Sequence, residues 1–188
     1  VYFFLKEKKK INLIKLNIFF LLLFISFIIF KSHDDFSYYH FPYIYYLTQS
    51  EIAFGVGNFN HGFRTPSSIF YLNSIFYLPI IKYNFFQIGA ILIMGFSSYQ
   101  FFYLVKEKLK QKKYNKFFFL SLFFFMFTVI FFYRIAEHGT DRSAQILIFL
   151  LIIELLLIIN FDKGIKECII RILIILGLVI SLKSFYVL

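Results

Sequence analysis

The chain is a series of long apolar runs separated by short polar breaks. The first run, residues 11–30, is apolar except for Asn12, Lys15, Asn17 and Ser26. A helix rises about 1.5 Å per residue, so a run of this length crosses a hydrocarbon core about 30 Å thick. Further runs cover residues 85–105, 117–133, 143–160 and 168–188. Between them lie KEKLKQKKYNK at 106–116, RIAEHGTDR at 134–142 and a polar turn at 161–167. The pattern predicts an all-α, polytopic membrane protein with about five transmembrane helices. Residues 65–81, TPSSIFYLNSIFYLPII, are apolar but broken by Ser67, Ser68, Asn73, Ser74 and Pro79. They are expected to lie in the membrane interface rather than to cross.

The longest polar interruption belongs to residues 31–84, and its first part reads KSHDDFSYYHFPYIYYLTQSEIAFGVGNFNHGFR. Phe36, Tyr39, Tyr43, Tyr46 and Leu47 recur at helical spacing, which predicts an amphipathic helix lying along the membrane surface. Pro42 falls early in that helix, where a missing N–H is best tolerated. The adjacent acids Asp34 and Asp35 are read in two ways. Either one caps the helix by accepting bonds from its free N–H groups, or one is a general base with its neighbour as cap. Asn58, Asn60 and Arg64 suit either sugar or phosphate recognition, or plain turn formation. Gly55-Val56-Gly57 lacks the rest of a dinucleotide fingerprint and reads as a flexible loop.

Composition supports a membrane protein. Of 188 residues 60% are hydrophobic, with mean hydropathy +0.76, against about 45–50% apolar in soluble domains. The net charge is +10, but the lysines sit beside apolar runs, which points to membrane borders rather than to nucleic acid. Phe (31) and Tyr (14) are abundant and Trp is absent. Phe, Ile, Lys, Asn and Tyr are what AT-rich coding favours, so the aromatic excess is not itself a binding signal. The lone Cys168 excludes an internal disulfide and reads as a small buried hydrophobe. The chain begins at Val1 and ends inside an apolar run at Leu188, so a fragment or an alternative start codon is expected. No small-residue cleavage site follows residue 30, so the first run is read as a retained anchor rather than a signal peptide.

Charge sets the expected topology. With the N-terminus in the cytoplasm and 65–81 in the interface, the inner segments hold Lys6, Lys8, Lys9, Lys10, Lys15, the lysines of 106–116, Lys163, Lys166 and Arg171. The outer segments keep Lys31, Arg64, Lys82, Arg134, Arg142 and Lys183. Letting 65–81 cross would put the 106–116 cluster outside, against the positive-inside rule. The 31–84 and 134–142 loops then share the outer face of a plasma (inner) membrane. In the second loop, Arg134, His138 and Arg142 suit a phosphate leaving group, and Glu137 or Asp141 suits a sugar or metal. A merely polar loop is the simpler reading of the same residues. Glu154 lies inside a span and is expected to pair with Arg171 or Lys163. His33, His40 and His61, with Asp34 and Asp35, contain the donors for a divalent cation, but no zinc-like spacing, so no metal or other cofactor is assigned.

A basic N-terminus, one span, and an outer loop opening D-D-x-x-x-Y-H-x-P (Asp34, Asp35, Tyr39, His40, Pro42) resembles the GT-C superfamily of integral-membrane glycosyltransferases. The NFNHGFRTPSS stretch from Asn58 and the EHGTDR stretch from Glu137 are similar to its protein mannosyltransferase and aminoarabinose transferase branches. The resemblance covers roughly residues 11–160 and its motifs are short. It implies transfer of a sugar from a polyprenyl-phosphate donor to an envelope acceptor, with Asp34 or Asp35 as the acid of the first outer loop. Asp141 or Glu137 would be the acid of a later outer loop. The acids do not form D-x-D, so no metal is implied. Members of the family have more spans than this chain, which again points to a fragment. Two rivals without covalent chemistry stand beside the enzyme: a transporter or polymer-export subunit, and a membrane scaffold. Transport calls for polar side chains along the spans, and Glu154 is the main one here.

Overall fold

The computed structural model describes residues 13–18, 20–21, 35–51, 54–64, 67–130, 140–160 and 165–183. Its described part is all-helical, with no strand beyond an isolated bridge between Leu78 and Lys82. The helices are α1 (Phe41–Gln49), α2 (Ser68–Ser74), α3 (Ile88–Lys110), α4 (Lys116–Ile130), α5 (Thr140–Asn160) and α6 (Ile165–Leu182). Of the first predicted span, residues 13–18, 20 and 21 are described and helical. Leu16 is buried, and the Phe20 ring meets Phe96 of α3 edge-on at 4.7 Å.

Two segments are long and apolar enough to cross a membrane: Tyr83–Lys110, with mean hydropathy 1.6, and Thr140–Ile159, with 2.3. Helix α4 has 15 residues and is about 22 Å long. Helix α6 has 18 residues but carries Lys166, Glu167 and Arg171. Helix α2 has 7 residues; at about 10 Å it is too short to cross. Large apolar side chains cover the outer faces of the long helices, among them Phe119, Phe123 and Val129 on α4 and Ile170, Leu173 and Ile174 on α6. Such a surface is suited to lipid rather than water.

Helices α3 to α6 form a bundle around Ile91, Met94, Phe101, Phe124, Ile146 and Ile153. Aromatic rings hold its middle: Phe124 stacks on Phe149 at 4.3 Å and meets Phe101 at 5.7 Å. Asn115 starts α4, its Oδ1 accepting the Phe118 N–H at 3.1 Å. Lys108 and Lys110 lie in the last turn of α3, where the helix dipole favours cations. Helices α5 and α6 are antiparallel, since Asp141 pairs with Lys183 and Glu154 with Arg171. The expected partner of Glu154 is thus Arg171, at 2.9 Å. Arg171 also donates to Cys168 Sγ at 3.0 Å.

Residues 35–86 build a second layer on one end of this bundle. Tyr43 and Ile44 of α1, Ile69 and Phe70 of α2, and Phe86 share a core with Ala90 of α3, Ala144 and Leu147 of α5, and Val179 and Leu182 of α6. Polar pins fix the contact. Ser67 donates to the Leu182 carbonyl at 2.7 Å, and Ser68 to Ser181 at 3.0 Å. The Gly89 N–H donates to Asn73 Oδ1 at 2.9 Å. A Cβ at Gly89 would meet that oxygen at 2.5 Å, so glycine lets α2 and α3 approach. The lysines of 106–116 lie at the far end of α3, about 34 Å away by helix length.

The predicted stripe on the first surface helix is corrected in phase. Phe36–His40 forms a π turn ahead of α1, and the extra residue rotates the helix, so His40, Tyr43 and Ile44 turn inward. Tyr43 and Ile44 pack on the rest of the layer and the bundle end, not along a flat lipid surface. The predicted 134–142 loop is also shortened: Thr140, Asp141 and Arg142 are the first turn of α5, where an acid is favoured by the helix dipole.

Candidate functional site

Tyr39 is the centre of the polar face of the layer. It lies in the π turn and is half-buried. Its ring meets His40 edge-on at 4.3 Å and Phe70 at 6.5 Å. Gly62 lies against the ring so closely that any Cβ there would overlap it. Burial pushes the Tyr39 hydroxyl up to about 12, and the nearby charges of Asp35 and Asp141 push it the same way. Two acids distant in sequence therefore converge on one hydroxyl.

Asp35 is exposed and already helical, and its side chain makes no capping bond. Asp141 is exposed and forms an ion pair with Lys183 at 2.7 Å. Helix α6 thus ends at the site, contributing Lys183, Ser181 and the Leu182 carbonyl. Arg142 donates to Gln145 Oε1 at 2.8 Å within α5.

The candidates of the 54–64 loop have local work. Asn60 Nδ2 donates to the Tyr38 carbonyl at 3.2 Å, and Asn60 Oδ1 accepts the Gly62 N–H at 2.8 Å. Asn60 thereby clamps the loop against Tyr39. Arg64 Nε donates to the Gly57 carbonyl at 3.1 Å. Asn58 is exposed in a turn closed by its own N–H on the Gly55 carbonyl, and Gly55 has φ +84°. His40 is only 3% exposed and packs between Tyr39 and Phe70, so its ring belongs to the layer's core. His33, Asp34, Arg134, Glu137 and His138 lie outside the described residues. Among the described residues no three of His, Cys, Asp and Glu gather closely enough to hold a metal.

Beside it, Tyr43 donates to or accepts from Tyr71 at 3.1 Å. Burial, then that bond, raise the Tyr43 hydroxyl well above the ordinary tyrosine range. Sequence reasoning missed Tyr39, Gly62 and Lys183 as members of the site. Lys183 had a signal, a lone cation near the end of an apolar run; Gly62 had none.

Chemically, the face offers one exposed carboxylate without a capping duty (Asp35), one carboxylate already neutralised by lysine (Asp141), and a hydroxyl held protonated between them. That set can accept a proton from an incoming hydroxyl and orient it by hydrogen bonds. No known protein family, curated protein or solved structure matches the chain.

Proposed function

We propose that the chain is a multi-span membrane protein with its N-terminus in the cytoplasm, and that the Asp35–Tyr39–Asp141 face transfers a sugar on the outer side. The donor is a sugar linked to a polyprenyl phosphate, and the acceptor an envelope hydroxyl. The convergence of Asp35 and Asp141 on Tyr39 carries this reading. Five crossings of the inner membrane follow from the 11–30 run and α3 to α6, with the lysines of 106–116 on the cytoplasmic side.

In the reaction, Asp35 takes the proton of the acceptor hydroxyl as its oxygen bonds to the anomeric carbon. The bond from that carbon to the phosphate oxygen breaks, and polyprenyl phosphate leaves with the electron pair. Lys183, held by Asp141, and Arg142 supply positive charge near that leaving group. Tyr39, kept protonated, donates a hydrogen bond to the bound sugar.

Membranes containing the chain, supplied with a labelled polyprenyl-phosphate hexose or pentose, test it. Asp35→Asn is expected to lower transfer of label at least about 100-fold, the scale of general-base catalysis, with membrane insertion unchanged. Glu107→Gln, at the lysine-rich end, is expected to leave transfer intact. Unchanged transfer by Asp35→Asn removes Asp35 from the role.

A scaffold is the second reading, favoured by the local engagement of Asn60, Arg64 and Asp141. It expects no transfer of label from any donor and no effect of Asp35→Asn on the partners the chain retains.

A further inference from the structure

The turn that leads into α3 carries an apolar tip with one cation. Leu78 and Lys82 close it, the Lys82 N–H donating to the Leu78 carbonyl at 2.6 Å. Asn84 Nδ2 donates to the Ile81 carbonyl at 2.8 Å, and Phe86, 1% exposed, fixes the exit in the core. Ile80 is 94% exposed at the tip, beside exposed Leu78, Pro79 and Tyr83. Lys82 is the only charged residue between Arg64 and Lys106. Its φ of +52° is a conformation that residues with a side chain avoid, yet no glycine stands there.

We propose that this turn is seated in the phosphate–acyl boundary of the leaflet beneath the layer, with Ile80 among the upper acyl chains and Lys82 on lipid phosphates. The inference rests on the membrane placement given above, and not on the transferase chemistry. Three observations carry it. The turn ends where α3 begins, and the start of a crossing helix lies at the membrane border, so the turn is at that level. Its exposed side chains are apolar, continuing the apolar outer surface of the helices. Its lone charge is positive, complementary to a phosphate surface, with a stem long enough to reach up from an apolar bed. A second protein would also cover Ile80, but nothing anchors one there, whereas the helix itself brings lipid.

The chain has no tryptophan, so a single reporter reads one position. Ile80→Trp and, separately, Leu173→Trp on the exposed face of α6 are reconstituted as full chains. The vesicles are phosphatidylcholine with phosphatidylglycerol, brominated either high or low on the acyl chain. Trp at 80 is expected to lose emission to high bromines more than to low ones and to resist aqueous iodide. Trp at 173 is expected to lose emission to the low bromines. Quenching at 80 by iodide alone, meaning water, overturns the proposal. So does protection from both, meaning cover by protein. If position 173 also escapes bromine, the membrane placement itself falls and takes the turn with it. Lys82→Gly, which suits the positive φ, is added to Ile80→Trp. It is expected to weaken high-bromine quenching in vesicles with phosphatidylglycerol; equal quenching overturns the lysine's part.

Discussion

The bundle and the layer on its end are held together by different means. The bundle core is Ile, Leu, Met and Phe from several helices, closed by ring contacts such as Phe124 on Phe149. Its buried charge is confined to one pair, Glu154 with Arg171, among the described residues. The layer core is smaller and is fixed by single close or polar contacts: Gly62 on Tyr39, Asn73 on Gly89, Ser67 on Leu182. Apolar packing tolerates exchange of one hydrophobe for another of similar volume. A close approach or a buried hydrogen bond does not. The difference places specificity in the layer, where the acids are, and mere span-forming stability in the bundle.

The largest expected effect tests the one exception in the bundle. Glu154→Leu leaves Arg171 facing the helix pair without its carboxylate. Breaking a buried pair in this way costs about 3–5 kcal/mol. The double change Glu154→Leu with Arg171→Leu is expected to recover most of it, measured by unfolding in mixed micelles. If the single change is as stable as the double, the pair is not the bundle's weak point.

Next in size is the layer. Gly62→Ala forces a methyl group into the Tyr39 ring, and Gly89→Ala forces one into Asn73. Each is expected to cost about 1–3 kcal/mol, the usual range for overpacking. By contrast, Phe124→Leu in the bundle leaves the helical pattern intact. Protease protection of the 35–86 layer would separate them: Gly62→Ala exposes the layer while α3 to α6 stay protected. Equal loss in both regions would erase the contrast.

A smaller effect follows from Tyr39. Its hydroxyl is raised to about 12 from the model-compound value of 10.0. Below pH 10 the tyrosine is neutral folded and unfolded, so stability does not change on its account. Between pH 10 and 12 the unfolded chain gives up the proton first, so stability falls as pH rises through that window. Asp141→Asn removes one of the nearby charges, and Tyr39 is expected to ionise at lower pH, seen by tyrosinate absorbance. An unchanged midpoint would mean that Asp141 does not bear on Tyr39.

Much of the bundle was legible because its physics is periodic. Runs at 85–105 and 143–160 announced α3 and α5 by length and apolarity, and Glu154 announced its need for a cation. Boundaries moved where polar residues are helical all the same: Thr140–Arg142 read as loop, yet their acid suits a helix start. The layer was less legible. The apolar stripe from Phe36 to Leu47 was visible, but a π turn changes its phase through one extra residue, and no residue type signals that. Asn60 and Arg64 have the chemistry of ligand binding, and only coordinates show their bonds to Tyr38 and Gly57. Lys183 reaches Asp141 across 42 positions of sequence because α5 and α6 are antiparallel, a pairing that periodicity alone does not reveal.

The central claim is that Asp35 and Asp141 face one side of a bilayer and the lysines after α3 face the other. With Cys168 changed to alanine, single cysteines at Asp35, Asp141 and Lys112 are exposed to a membrane-impermeant maleimide in sealed vesicles of known orientation. The account predicts that Asp35→Cys and Asp141→Cys label from the outer side alone and Lys112→Cys from the inner side alone. Labelling of the two acid positions from opposite sides, or of Lys112→Cys together with them, would contradict it.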